Sequence, residues 1–421
     1  MAAYLEPSQN EQASQQVPTK NLAAYELYLR AREWERRPEL DPGVNALKAA
    51  QCYEQALGLD PNFALAEVRL AYTYARLYWQ ENDWSLRPSY LAKAQQAVER
   101  ALHLGPDLPE THAALGYYHY YGHLDYDHAL VEFKLAQQDL PNDSEIALAI
   151  GLVQRRKARW EDSLSNLQRA TALDPLNARY FTILADTYEG LRRYDDAQQT
   201  VDRVLALAPS TPDVWVQRAY LNFKKTGRTE ELRRVTKSIE PAQESDTAGF
   251  ARWEVNMFER KYDEAVSDAQ KSRLTKFETE WGIFPKELLC GLSYFSKGDL
   301  EHARPFFDEA RTFMEPVVQT NTEGPRLRIA LALAYAGLAR KAEALQQGRV
   351  AADERSVAID AVAGPPIAAT LARVYVMVGE KDAAVRELAD SVKIPFGISK
   401  SRMRFEPLWD PLRAMPELRV C

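Results

Sequence analysis

Residues 176–209 read LNARYFTILADTYEGLRRYDDAQQTVDRVLALAP, and the features of this stretch recur along the chain at fixed offsets. It holds a large and a small residue in tandem, Leu184-Ala185, then Tyr188, then the run Tyr194-Asp195-Asp196-Ala197, and it closes on Pro209. Moving outward, Pro141, Pro175 and Pro209 stand 34 residues apart. The aromatic-acidic-small run returns as Tyr126-Asp127-His128-Ala129, Trp160-Glu161-Asp162-Ser163 and Tyr262-Asp263-Glu264-Ala265. Weaker copies lie at Leu300-Glu301-His302-Ala303, Lys341-Ala342-Glu343-Ala344 and Lys381-Asp382-Ala383-Ala384. Nine residues before the small residue an aromatic recurs as Tyr188, Tyr294, Tyr335 and Tyr375. Ahead of these sit Leu70-Ala71, Leu115-Gly116, Ile150-Gly151, Cys290-Gly291, Leu331-Ala332 and Leu371-Ala372, where the small residue lets two helices approach closely.

This pattern resembles the tetratricopeptide repeat (TPR), a helix-turn-helix unit of period 34. The resemblance spans roughly residues 22 to 390 and implies an all-α chain. The implied form is a right-handed superhelix, an α-solenoid of about ten helix-turn-helix repeats with a C-terminal cap. A single helix pair cannot bury its apolar side alone, so neighbours stack and share one core. Function is then expected on a surface rather than in a catalytic pocket.

Composition sets outer bounds. In 421 residues, 46% are hydrophobic and only 18 are glycine, enough apolar surface for a helical chain, and the 27% charged residues suit its solvated faces. A formal net charge of −7 argues against nucleic acid as a direct ligand, because phosphate binding is driven by clustered Lys and Arg. Cys52, Cys290 and Cys421 are isolated, without zinc or disulfide spacing. Met1 to Gln16 shows no basic segment followed by an apolar one, and no later run is long enough for a bilayer, so no membrane partner is expected. The expected compartment is the cytoplasm, or the periplasm if the chain belongs to a membrane-spanning regulator.

Residues 1–20 are rich in Gln, Ser and Pro without apolar periodicity and read as a flexible linker. Repeats fill 21–240, with an insert around Trp79 to Ser89. Glu240 to Thr247 combines Pro with polar residues and reads as a loop between two stacks. Repeats resume over 248–392, and 393–421 is expected to cap the end.

Both ends carry a second resemblance. Leu5-Glu6-Pro7, Val17-Pro18-Thr19-Lys20-Asn21-Leu22 and Ala24-Tyr25-Glu26-Leu27-Tyr28-Leu29 resemble the junction after a TolB-like domain in large bacterial TPR regulators. Phe405-Glu406-Pro407-Leu408-Trp409-Asp410-Pro411-Leu412-Arg413, with Pro416, resembles their terminal motif. In that family the repeats follow an effector module such as a winged helix, a cyclase or a kinase. The resemblance implies that this chain is the sensory or scaffolding half of such a system.

The sequence contains no GxxxxGK[ST], GxGxxG, HExxH or GxSxG motif, so no catalytic residue, metal site or cofactor is assigned. His119 and His123 have a workable metal-ligand spacing, but with His112 and His128 they fall where repeats expect packing, turn and variable positions. Basic residues recur near the end of the first helix in three repeats: Arg155, Arg156, Lys157 and Arg159; Arg192 and Arg193; Lys224, Lys225 and Arg228. They read either as a stripe for an acidic partner or as cations complementing helix dipoles.

In TPR proteins the first helix of each pair lines the concave groove, and the resemblance carries that role to Tyr72, Arg76, Tyr117, Tyr120, Tyr121, Arg155, Asp186, Tyr220 and Phe223. Tyr and Arg are favoured interface anchors, and the competing reading is that the tyrosines only pad an inner wall. Further along, the same positions turn apolar, with Leu288, Leu292, Phe295, Ile329 and Leu333. Such a groove needs a cover: the C-terminal segment, a second copy or a hydrophobic partner. Two functions follow. One is a scaffold holding a protein or peptide in the concave groove. The other is a sensor that changes superhelix shape on binding a peptide or small molecule and so switches an effector.

Overall fold

A computed structural model describes residues 19–36, 42–80, 86–320 and 324–415. Most of the expected linker, part of the insert after Trp79, Pro416 and Cys421 lie outside the described residues. The chain divides into two compact units, Met1–Val153 and Gln154–Cys421.

Helices come in consecutive pairs. The first unit holds α1 (Leu22–Arg36) with α2 (Pro42–Leu59), α3 (Ala64–Gln80) with α4 (Arg87–Leu104), and α5 (Pro109–Tyr117) with α6 (Tyr126–Asp139). Helix α7 (Ser144–Arg156) straddles the division. The second unit continues with α8 (Trp160–Leu173), α9 (Ala178–Gly190), α10 (Tyr194–Leu207), α11 (Pro212–Thr226), α12 (Glu230–Ser238), α13 (Asp246–Phe258) and α14 (Tyr262–Lys271). After a hairpin of β1 (Lys276–Thr279) and β2 (Gly282–Pro285) come α15 (Lys286–Lys297), α16 (Leu300–Gln319), α17 (Pro325–Gly337), α18 (Lys341–Glu354), α19 (Gly364–Met377) and α20 (Lys381–Ser391). A short α21 (Lys400–Phe405) ends the helical series. Ten pairs thus precede α21, in line with the period of the sequence.

The tandem small residues do what their size allows. A Cβ on Gly116 would lie 2.6 Å from the Phe133 ring, and one on Gly291 would lie 2.9 Å from Phe307. From α5–α6 onward, the eight pairs turn through a left-handed residue at a similar place: Leu124, Ala158, Arg192, Gly227, Arg260, Gly298, Ala339 and Gly379. Helix starts are capped where the sequence supplies a short polar residue. The side chains of Asp125, Ser245, Asp299 and Ser399 accept from the backbone N–H three residues on.

The segment from Glu240 to Thr247 holds a short 3₁₀ turn, Pro241–Gln243, and one core runs past it: Val216, Ala219, Leu232 and Val235 pack with Ala248, Ala251 and Val255. Glu244 accepts from Arg252 and from Ser272, and Arg252 also donates to the carbonyls of Thr236 and Ile239, which ties the turn to the helices on either side. The chain is all-α as expected, with one small two-stranded hairpin among the described residues. Its strands pair Phe277 with Phe284 and Glu278 with Ile283, around the two-residue turn Glu280-Trp281. Phe277, Ile283 and Phe284 are buried, so a helical chain makes room for two short strands because their side chains enter its core.

Candidate functional site

The second unit's C-terminal segment does more than end the stack. From Lys393 it runs back across the first helices of several pairs. Phe396 adopts a left-handed backbone and donates its N–H to the carbonyl of Gly190 at 2.9 Å, and its ring stacks on Trp160. Only glycine fits beneath it, because a Cβ on residue 190 would stand 2.3 Å from that ring. Ser401 then donates to the Lys224 carbonyl, and Arg402 forms a buried bidentate pair with Glu254 of α13. Phe405 packs edge-on to Phe223 of α11, and Glu406 takes two hydrogen bonds from Arg373 of α19. Trp409, which retains 2% of its surface, sits against the same guanidinium. We call residues 393–412 the strap.

Two arginines at left-handed turn positions hold the strap from outside. Arg192 donates to the carbonyls of Ile394 and Ile398, each at 3.2 Å, and Arg260 donates to the Phe405 carbonyl and to Asp410. Elsewhere this turn position is glycine or alanine in three of the pairs that follow α11, at Gly298, Ala339 and Gly379. Arginine there accepts backbone strain in return for a reach that the smaller residues lack.

Between the strap, α9, α11 and the hairpin turn lies a cavity of about 440 Å³. Asp186, Glu189, Tyr220 and Lys224 form its helical wall, Glu280 and Trp281 come from the turn, and Phe396 and Arg402 from the strap. The charges are unevenly matched. Lys224 pairs with Glu189, and although burial pulls its ammonium down, Glu189 and Glu280 hold it above its ordinary range. Asp186 has only the amide of Gln217 as a hydrogen-bond donor, at 2.5 Å, and burial together with Glu189 pushes its carboxyl up to about 7. Desolvation raises the carboxyl of Glu280 against the pull of Lys224, although the residue as a whole is exposed. Glu254 takes the phenol of Tyr220 at 2.6 Å in addition to Arg402.

With this geometry in place, the match to known sequences becomes decisive. Residues 178–211, the α9–α10 pair, match the family model of the tetratricopeptide repeat. The chain carries the tetratricopeptide repeat. Superkiller protein 3 of Schizosaccharomyces pombe is 25% identical over 163 residues, a segment covering 38% of this chain and 11% of that protein. A TPR protein of Thermus thermophilus aligns at 19% identity and a TM-score of 0.38, over 48% of this chain and 100% of that one. A TPR protein of Parabacteroides merdae aligns at 13% identity and a TM-score of 0.42, over 65% of this chain and 99% of that one. A TPR array is in general a protein-interaction scaffold, and no helix among the described residues is long and apolar enough to cross a membrane.

The groove positions carried over from TPR proteins meet different fates. In the first unit, Tyr72, Arg76, Tyr117, Tyr120 and Tyr121 are buried, and the tyrosines pack on one another, Tyr72 to Tyr117 with ring centroids 4.3 Å apart. Side chains packed in this way pad the inner wall. A π-helical turn, Tyr118–His123, continues α5 and brings Tyr120 and Tyr121 onto Trp79. In the second unit, Arg155 is buried, donating to Thr187 and lying over the Phe396 ring, and Phe223 is buried between Phe258 and Phe405. Of the nine, Asp186 and Tyr220 line the cavity.

The basic stripe is consumed within the TPR chain: Arg156 pairs with Asp360, Arg193 with Asp196, Lys224 with Glu189 and Lys225 with Asp195. The histidines go to separate partners, His112 to Glu132 and His128 to Asp125, and no metal-holding group of three ligands occurs among the described residues. The apolar positions Leu292 and Leu333 lie beneath Glu406, Pro407 and Leu408 of the strap, so their cover comes from the chain itself. Sequence reasoning missed Glu280, Trp281 and the strap's role in the cavity wall. The one available signal was the Glu-Trp-Gly turn between Phe277 and Phe284, which alternates where a repeat should not.

Proposed function

We propose that this TPR protein is a binding module that senses a ligand, and that the ligand occupies the cavity of the second unit. It binds rather than reacts, and it serves as the sensory half of a bacterial signalling or regulatory system of the kind its terminal motifs resemble. The observation that carries this reading is the partly open cavity of about 440 Å³ walled in part by the strap. That volume suits a small molecule or the end of a peptide and is too small for an extended chain. Because Phe396 and Arg402 line it, occupancy and strap position are coupled, and the strap is the element through which binding reaches a partner. A scaffold gripping an extended peptide along these helices requires the strap to leave.

A thermal-shift screen of soluble metabolites and short peptides tests this. Ligands of the cavity raise Tm of the wild-type chain and leave Thr182→Trp, which fills the cavity, unmoved. If every stabilising compound shifts both proteins equally, the cavity is not the ligand site.

A further inference from the structure

The charge inventory of the cavity narrows its ligand. Its lining includes Asp186, Glu189, Asp213, Glu278 and Glu280, against Arg192, Lys224 and Arg402. Each cation is already engaged: Lys224 by Glu189, Arg402 by Glu254, and Arg192 by two strap carbonyls. Glu278 has its own partners in Lys276, at 3.2 Å, and Arg326, at 3.5 Å, and Asp213 accepts from the Ser245 hydroxyl. Two carboxylates remain. Asp186 has one amide donor, and Glu280 has no hydrogen-bond or ion-pair partner among the described residues. Both line the one cavity, Asp186 from α9 and Glu280 from the hairpin turn.

We propose that the cavity binds a ligand with a primary ammonium group on a compact apolar body, with Asp186 and Glu280 as its counter-ions. This rests on the cavity being the ligand site. Asp186, buried beside Glu189 with one amide donor, is costly as a carboxylate, and Glu280 shares the field of Lys224 with Glu189; a bound ammonium supplies charge and hydrogen bonds to these acids. An anion would enter against five carboxylates, and a neutral ligand would leave both acids unpaired. The apolar part has Phe250, Val214 and Trp281 to rest on. The Trp281 ring already carries Arg402 at 4.5 Å and Arg373 at 5.0 Å, so the ammonium is held by carboxylates and not by that ring. The same chemistry is offered by a small free amine and by the N-terminus of a peptide.

Isothermal titration of the full chain separates these sources. The probes are phenethylamine, 1,4-diaminobutane and trialanine, with phenethyl alcohol and N-acetyl-trialanine as uncharged counterparts. At least one amine binds, its counterpart binds tenfold or more weakly, and Asp186→Asn and Glu280→Gln each reduce affinity for the amine at least tenfold. Preference for trialanine over its acetylated form assigns a peptide end; preference for the small amines assigns a metabolite. Circular dichroism confirms that both variants are folded. The proposal is overturned if no amine binds at millimolar concentration, if phenethyl alcohol matches phenethylamine, or if both carboxamide variants bind as the wild type does. Neutral or anionic compounds whose stabilising effect disappears in Thr182→Trp would overturn the ammonium assignment alone and leave the cavity as the ligand site. Compounds that stabilise Thr182→Trp and wild type equally would remove the site itself.

Discussion

The two units fill the inner face of their helix pairs in opposite ways. In the first, the tyrosines of α3 and α5 close on each other: Tyr72, Tyr117 and Tyr121 stack in sequence, and Arg69 lies over Tyr72 while pairing with Glu35 and Glu145. In the second, the corresponding helices meet through a polar pair, Glu189 with Lys224, rather than through aromatic rings, and the strap packs beside them and leaves a charged cavity. Large aromatic side chains on one helix thus substitute for a separate segment. Where the groove residues are smaller, as with Thr182, Asp186 and Gly190, something else must enter. The difference lies in what fills the inner face: aromatic packing in the first unit, and in the second a strap beside the cavity proposed above as the ligand site.

The strap should therefore matter to one unit only. Deleting residues 393–421 uncovers Leu292, Leu333 and Phe223 and removes the burial of Trp409, Ile398 and Leu412, which is worth upward of about 5 kcal/mol in transfer terms. Hydrogen exchange followed by mass spectrometry is expected to show lost protection in α11, α13 and α19, new binding of hydrophobic dye, and unchanged protection in α3 and α5. Equal loss in both units would break the contrast. Within the strap, Glu254→Ala strands the Arg402 guanidinium and costs about 3–5 kcal/mol. The double variant Glu254→Met with Arg402→Met recovers most of that in chemical denaturation, since it leaves no charge unpaired.

Tyr117→Ala tests the other side of the comparison. Its ring meets Tyr72, Tyr121 and Phe133, so truncation opens a void in the first unit and costs about 3 kcal/mol there. Affinity of the cavity for amines stays at the wild-type value. A loss of amine binding with intact helices would return the recognition surface to the first unit.

How much of this could be read beforehand follows from the range of each interaction. Ala185, Ala197 and Gly116 were legible because a repeat packs against its neighbour about 34 residues away, and the constraint recurs until it is visible. The strap answers to contacts such as Arg402 with Glu254 and Phe396 with Gly190, made once and across more than a hundred residues. Arg192 shows the same limit. In the sequence it is one basic residue near a helix end, and its task appears only when Ile394 and Ile398 are beside it. Asp186 and Tyr220 line the cavity from helices that the repeat places, whereas Glu280 lines it from a hairpin that no repeat rule places.

Asp186 offers a smaller effect with a defined sign. In the unfolded chain its carboxyl loses its proton near the model-peptide value of about 4, whereas the folded group holds it to about 7. The folded pKa is raised, so this group's contribution is most favourable below pH 4, declines as pH rises toward 7, and stays at its least favourable above that. At about 1.4 kcal/mol per pH unit the penalty is at most about 4 kcal/mol. Asp186 is only partly buried, and solvent screening brings the expected penalty to about 2 kcal/mol. Asp186→Asn should match the wild type at pH 4 and exceed its Tm at pH 8. A variant no more stable than wild type at pH 8 would mean that the acid is already paired.

The finest test compares two turns of the same conformation. Arg192 and Ala339 both have φ of 60°, and each sits two residues before the second helix of its pair. Replacing either with glycine relieves about 1 kcal/mol of left-handed strain and adds the same unfolded-state entropy. The backbone terms therefore cancel in the difference between Arg192→Gly and Ala339→Gly. What survives is the loss of two hydrogen bonds from a guanidinium to the Ile394 and Ile398 carbonyls, expected at about 1–2 kcal/mol because Arg192 remains partly open to solvent. Urea denaturation measures that difference, and exchange at the strap amides should quicken in Arg192→Gly only. If the two substitutions shift stability equally, the arginine is a turn residue that happens to lie near the strap. If they differ as stated, its strained backbone is maintained by what its side chain holds.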